Sequence, residues 1–328
     1  MKHNIFRASA ACVFAMLLVL TGRSAAPAVL IPGGEAVNLA VETDGILVTE
    51  IERDSPAQRA RLRAGDRITE VDGKTAESAE QIVAAVKTEE QVILTVVRGS
   101  RQMHFSVRPE QSGTQRRIGA KITDTVCGIG TVSYYSPQDG SFGALGHGIS
   151  LPELPSLLPV SGGTVCYSQI RAVEKSESGD PGELEGGCDS SAPNGELTAN
   201  TDSGIFGRLP QVQSSAQAMP VAAASQIHAG DAIIRCCIDG SQVREYSVRI
   251  IEVYPQAETG RELLLEVTDR DLLAATGGIV RGMSGSPIIQ DGRLAGAVTH
   301  VMVDNPTKGY GIFIETMLEA SSLPQQAA

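Results

Sequence analysis

The sequence predicts a mainly β protein built as two units, and three observations carry that reading. The chain holds 35 glycines, many in short clusters between apolar β-branched runs, the pattern of short strands joined by tight turns. Aromatic residues make up only 4% of the chain and Trp is absent, whereas apolar residues reach 42%, so the cores are packed from Val, Ile, Leu and Ala. At roughly 100–200 residues per domain, the length allows about two domains.

The first residues stand apart. Lys2, His3 and Arg7 precede a mostly apolar run over 8–20, and Ser24, Ala25 and Ala26 follow it. A basic start, a short apolar core and a small-residue exit form the layout of a secretory signal. As a helix the run rises only ~20 Å, short of the ~30 Å hydrocarbon core. Residues 1–27 are therefore read as a signal peptide or membrane anchor, and the protein as exported. The net charge of −11 offers no footprint for nucleic acid. Cys12 lies in the signal, leaving Cys127, Cys166, Cys188, Cys236 and Cys237. An odd number cannot all pair within the chain, and the lack of a C-x-x-C pair speaks against zinc or thioredoxin chemistry. Cys166 with Cys188 is the pair to test for a bridge.

A first unit is expected over 34–110. Strands are read at 36–41 and 45–51. Ser55 caps a short helix with Pro56 at its first position, where the missing N–H costs nothing. A strand and turn follow at 68–73, a helix at 79–87 with Ile82, Val83 and Val86 at helical spacing, and closing strands at 91–97 and 104–107 around an Arg98-Gly99-Ser100 turn. The stretch SPAQRARLRAGDRITEVDGK resembles the helix–turn–strand signature of PDZ domains, with Arg61 where the family has Gly. That resemblance implies an extended peptide added to a sheet edge beside a helix. It places the receiving loop ahead of the first strand, at Gly33, Gly34, Val37, Asn38 and Leu39, with Asn38 where Gly is usual and Glu35 adding a negative charge.

Residues 111–117 are read as a linker, and 118–328 as the second unit. Short apolar runs recur at 131–134, 163–167, 169–173, 232–238, 243–253, 262–267, 287–289 and 294–303, with a helix at 314–322 and a long exposed loop at 176–202. The spacing suits one two-barrel or sandwich β domain.

The strongest chemical signal is Gly282-Met283-Ser284-Gly285-Ser286-Pro287, ahead of the apolar pair Ile288-Ile289. A nucleophilic serine needs a tight turn that exposes its oxygen and aims N–H groups at the developing oxyanion, and the flanking glycines permit that turn. The pattern resembles the nucleophile loop of chymotrypsin-like serine proteases, which implies an oxyanion hole from the N–H groups of Gly282 and Ser284. Among the histidines, His147 ends an apolar run between glycines, where a general base should project into a cleft. His300 is read as a supporting or core residue, His228 as a turn residue and His104 as part of the first unit. Spacing does not choose the third member among Asp180, Asp189, Asp202, Asp231, Asp239, Asp269 and Asp271.

The segments FGALGHGI, DPGELEG, SGIFG and TGGIVRGMSGSPIIQDGRLAGAVTHVMVDNPTKGYGIFIETML resemble the SpoIVB (stage IV sporulation protein B) peptidase family over nearly the whole chain. The resemblance implies a PDZ domain followed by a chymotrypsin-like double β-barrel, with His147 as base, Ser284 as nucleophile and Asp269 as acid, Asp202 and Asp271 standing as alternatives. It implies an exported endopeptidase of sporulation signalling, in the space between forespore and mother-cell membranes. That protease cleaves itself and a regulatory membrane protein, and so activates intramembrane processing of a late sigma factor. No cofactor is required. An HtrA-like quality-control protease and a non-catalytic PDZ scaffold are the rival expectations; in the HtrA arrangement the PDZ follows the protease.

Overall fold

The computed structural model describes residues 29–151, 157–158 and 160–322; the expected signal segment lies outside the described residues. Among the described residues, strands hold 52% and helices 11%, so the fold is mainly β as expected.

The chain opens with β1 (Val29–Pro32) and turns through Gly33 and Gly34 into β2 (Ala36–Ile51). The two strands expected at 36–41 and 45–51 are thus one, and Gly45, at φ +85°, sits where the strand changes neighbours. Then come α1 (Pro56–Arg59), β3 (Arg67–Val71), β4 (Lys74–Thr75), α2 (Ala79–Thr88), β5 (Val92–Arg98) and β6 (Arg101–Val107). Ser55 accepts the Gln58 N–H at 3.1 Å, capping α1 as its sequence predicts. Ile46, Val48, Leu62, Ile68, Ile82 and Leu94 are among the side chains that fill this PDZ core. The buried carboxylate of Asp66 is gripped by the Arg98 fork at 2.6 and 2.7 Å and by the Arg63 N–H at 2.9 Å. Those bonds answer the desolvation cost of a buried charge. Arg61 adopts φ +67°, the left-handed conformation that explains why glycine is usual there.

The expected linker is instead a hairpin, β7 (Glu110–Ser112) with β8 (Gln115–Arg117). From it runs β9 (Ala120–Tyr135), followed by β10 (Ser141–Ala144), β11 (Val160–Tyr167), β12 (Gln169–Glu174), β13 (Glu183–Gly187), β14 (Gly195–Thr201), β15 (Gly204–Arg208) and β16 (Met219–Pro220). The stretch 176–202, expected as a loop, therefore holds β13 and β14.

The order β9-β10-β15-β14-β11-β2 closes because β2 pairs back onto β9. This first barrel corrects the expected domain boundary. Residues 36–42 of β2 pair with 125–131 of β9 inside the barrel, whereas 47–51 pair with 120–123 in the PDZ sheet. The PDZ-like unit does not precede the barrels as a separate bead. It is inserted into the hairpin formed by two long barrel strands, and both strands serve both sheets.

The second barrel comprises β17 (Gly230–Cys237), β18 (Val243–Val253), β19 (Leu263–Val267), β20 (Pro287–Gln290), β21 (Arg293–Val301) and β22 (Lys308–Phe313), closed in the order β17-β18-β19-β22-β21-β20. Helix α3 (Arg270–Thr276) lies between β19 and β20, and α4 (Ile314–Ser321) ends the described chain where a helix is expected. Ile234, Ile250, Leu263, Leu265, Ile288 and Val298 form part of its aliphatic core.

Candidate active site

The Ser284 turn is held from both barrels. Thr131 of β9 donates its N–H to the Ser284 carbonyl at 2.9 Å and its hydroxyl to the Gly282 carbonyl at 2.8 Å. Gly285 donates to Val298 at 2.7 Å. Gly282 and Gly285 take φ +94° and +97°, the left-handed conformations the turn demands. Ser286 is buried and spends its hydroxyl on the Met283 carbonyl at 2.6 Å, so it braces the turn and does not face the cleft chemistry.

Two peptide planes point donors outward. The Arg281 carbonyl accepts from Leu184 at 2.9 Å, and the Met283 carbonyl accepts from the Ser286 N–H at 3.0 Å. A trans peptide is planar, so fixing its C=O aims its N–H the opposite way. The N–H groups of Gly282 and Ser284 are those donors, and among the described residues neither has a hydrogen-bond acceptor. Two preset, unsatisfied N–H groups beside a serine hydroxyl are what an oxyanion hole requires.

His147 reaches the same cleft from the first barrel. Leu145 and Gly146, at φ +68° and +69°, curl the chain after β10, just before His147 enters the cleft. Ser284, His147, His300, Asp202 and the β9 stretch 126–129 all line one cleft of about 690 Å³. Nδ1 of His147 lies 2.9 Å from the Gly148 carbonyl. A carbonyl only accepts, so Nδ1 carries the hydrogen and Nε2 keeps its lone pair, the tautomer a general base needs. Burial holds the His147 pKa below its ordinary 6.5, with the Gly148 bond acting the other way. His300 stacks beside it with ring centroids 4.9 Å apart, and partial burial, then His147 and Arg261, push its pKa down to about 4. Both imidazoles are therefore neutral at neutral pH. His300, expected only as a supporting or core residue, is a wall of the cleft. Its contact with His147 spans two barrels and leaves no local sequence signal. In this arrangement Ser284 Oγ donates to the Thr299 carbonyl at 2.6 Å.

The structure does not bring Asp269 to His147. Asp269 caps α3: one carboxylate oxygen accepts the N–H groups of Asp271 and Leu272, each at 3.0 Å, and the other accepts from Ser247 at 3.2 Å. Asp271 is a first-turn acid of that same helix. Neither lines the cleft. Of the alternatives Asp202 does, while the group that fixes the His147 tautomer is a backbone carbonyl. Replacing Asp269 by Ala removes the cap and should cost about 1 kcal/mol, or roughly 2–4 °C in Tm. Thermal unfolding reads this directly, and an unchanged Tm would contradict the capping role.

The expected peptide-receiving residues also lie elsewhere. Gly33 and Gly34 donate to β9 carbonyls at 3.2 and 2.9 Å. Val37, Asn38 and Leu39 are flanked on both sides, by β11 and β9. A strand paired on both edges has no hydrogen bonds left for a ligand. The groove beside the PDZ helix is formed by α2 and the start of β9, lined by Ile82, Val83, Val86, Gly119, Ala120 and Ile122. The five cysteines are free thiols, so the structure does not form the Cys166–Cys188 bridge.

Parts of the chain are similar to known proteins. A PDZ domain profile matches residues 47–98. Human serine protease HTRA3 is 37% identical over 68 residues and Xenopus laevis serine protease HTRA1 33% over 69, each match covering 21% of this chain and 15% of the relative. The PDZ domain of an SdrC-like protein from Listeria innocua is 25% identical, covering 24% of this chain and 93% of that one, with a TM-score of 0.22. The active form of the Rv3671c protease from M. tuberculosis is 16% identical, covering 62% of this chain and 78% of that one, with a TM-score of 0.34. The profile of the SpoIVB peptidase S55 family matches residues 114–318, a stretch that carries both His147 and Ser284. The chain belongs to the SpoIVB peptidase S55 family.

Proposed function

We propose that the protein is an exported serine endopeptidase of sporulation signalling, cleaving itself and then a regulatory membrane protein whose loss activates intramembrane processing of a late sigma factor. The observation that supports the catalytic core of this reading is the Ser284 turn, with two outward N–H groups facing the cleft that also holds a neutral His147. The Ser284 hydroxyl leaves the Thr299 carbonyl, passes its proton to Nε2 of His147 and attacks the scissile carbonyl carbon. The C=O electron pair moves onto oxygen and is held by the Gly282 and Ser284 N–H groups. Collapse breaks the C–N bond as His147 returns the proton to the leaving amine, and water then releases the acyl group by the same steps. Protein substrates and a second copy of the chain are the partners in this reading. The acidic balance gives nucleic acid no surface to bind.

The test compares the purified protein with Ser284→Ala. The parent should yield self-cleavage fragments over hours and react with a fluorophosphonate at Ser284; the variant should do neither. Intact parent protein that also fails to label would overturn the reading. For the sporulation role, the catalytically dead variant expressed in sporulating cells should leave the intramembrane step unprocessed.

A further inference from the structure

One strand joins the PDZ groove to the nucleophile. One edge of β9 pairs with β2 from Ala120 to Thr131. Its other edge takes on β10 only from Val132 onward. Between Ile122 and Ile129 that second edge has no strand partner among the described residues. At its start, Ala120 and Ile122 form the floor of the α2 groove. At its far end, residues 126–129 form the wall of the Ser284 cleft. The Asp124 carboxylate accepts the Ala79 N–H at 2.9 Å, which ties the first turn of α2 to the middle of the strand. The register slip opposite 123–125 is carried by extra residues of β2, so β9 itself runs unbroken.

The two ends differ in chemistry. Around Gly119 the groove carries Lys87, Arg116 and Arg117 against the single acid Glu52. Arg117 is shared with Glu52 at 3.4 Å, while Arg116 reaches only a backbone carbonyl. A carboxylate is favoured there. Val83, which lines the groove, is 41% exposed, an apolar side chain with room for a partner.

We propose that β9 is a ruler for substrates. The C-terminal segment of a polypeptide, ending in an apolar residue, docks in the α2 groove with its carboxylate toward Gly119 and Arg116. That polarity makes the segment antiparallel to β9. Upstream residues then continue along the free edge and enter the cleft beside Ser284. At ~3.3 Å per residue, the path from Gly119 to Ile129 spans ~33 Å, so cleavage falls about ten residues from the carboxyl end. This rests on the serine endopeptidase reading above, and it assigns the PDZ groove to the leaving side of the same substrate chain.

The experiment uses the full chain and a set of unstructured peptides of about 25 residues that share a mixed sequence and end in Val. Each is supplied as the free acid, as the C-terminal amide and with two residues added before the final Val; cuts are mapped by mass spectrometry. With the free acid, cuts should cluster about 8–12 residues from the end and move by two residues in the lengthened peptide. The amide and the Val83→Asp enzyme should each lower kcat/KM roughly 10-fold or more, since both weaken the anchor, while fluorophosphonate labelling of Ser284 stays at the parent level. A second readout needs no turnover. Cys127 is an exposed free thiol on the edge between groove and nucleophile. In Ser284→Ala, a 15-residue free-acid peptide should slow its alkylation and a five-residue one should not. Cut positions indifferent to the carboxyl end, or equal Cys127 protection by both peptides, overturn the ruler. A parent enzyme that does not label at Ser284 overturns the protease reading beneath it.

Discussion

His147→Ala will lower kcat/KM on the order of 10⁴-fold, with most of the loss in kcat. The imidazole serves the proton-transfer step, and the outward N–H groups of Gly282 and Ser284 stay in place without it. The residual rate should be the part that those donors and binding supply. The same residue sets the pH profile. Burial holds its pKa below 6.5, and the base works in the neutral form, so activity persists as the pH falls through 6.5. The acid limb of kcat/KM should therefore lie below pH 6.5, the ordinary histidine value. Peptide hydrolysis measured between pH 4 and 8 checks both statements. A limb at or above 6.5, or a His147→Ala enzyme within 10-fold of the parent, would remove His147 from the role of base.

Gly285→Ala should inactivate the enzyme by closing a space that only glycine fits. A Cβ at this position would stand 2.0 Å from the Thr131 carbonyl oxygen and 2.5 Å from the Leu145 N, both backbone atoms, and φ is +97°. Neither neighbour can rotate away, because Thr131 holds the Ser284 turn and Leu145 begins the curl that carries His147. The clash therefore moves nucleophile and base apart. Overpacking and the forced left-handed conformation together predict a loss of about 3 kcal/mol or more. Gly187→Ala is the control, since nothing lies within 4 Å of its Cβ position. Thermal unfolding should show a large fall for Gly285→Ala and almost none for Gly187→Ala, with fluorophosphonate labelling lost only in the former. A Gly285→Ala protein that labels normally would show that the turn tolerates a side chain.

Features written in a few consecutive residues were legible in the sequence. Ser55-Pro56 opens α1, Ile82, Val83 and Val86 space a helix, and Arg98-Gly99-Ser100 turns a hairpin. The Ser284 turn is legible because its glycines must lie next to the serine. What the sequence hid is pairing. Residues 36–51 alternate well enough to mark strand, yet alternation reports a buried face and not the neighbour across the ladder. The same run therefore reads equally well as the opening of a PDZ domain or as a barrel strand. The β7–β8 hairpin is polar along both strands and gives no apolar alternation, so 111–117 reads as a linker. Asp269 was misplaced for a different reason. Asp269-Arg270-Asp271-Leu272-Leu273 is a helix start with its cap and a first-turn acid, and that local role uses every oxygen the catalytic role would have needed.

The shared strands also fix an order of assembly. To close the first barrel, residue 43 of β2 must find residue 124 of β9 across roughly eighty intervening residues, a loop-closure cost of about 4 kcal/mol if that stretch is unstructured. A folded PDZ insert changes this, because its own sheet already sets 47–51 against 120–123. The two barrel strands then leave the insert side by side and zip outward from a made junction. The PDZ-like insert is therefore expected to nucleate the first barrel, which refolding rates of core variants would test. Mutations in the Ile46, Ile68 and Leu94 core should slow barrel formation even though no residue there comes near Ser284, and removal of the insert would cost the protease its folding route before its substrates.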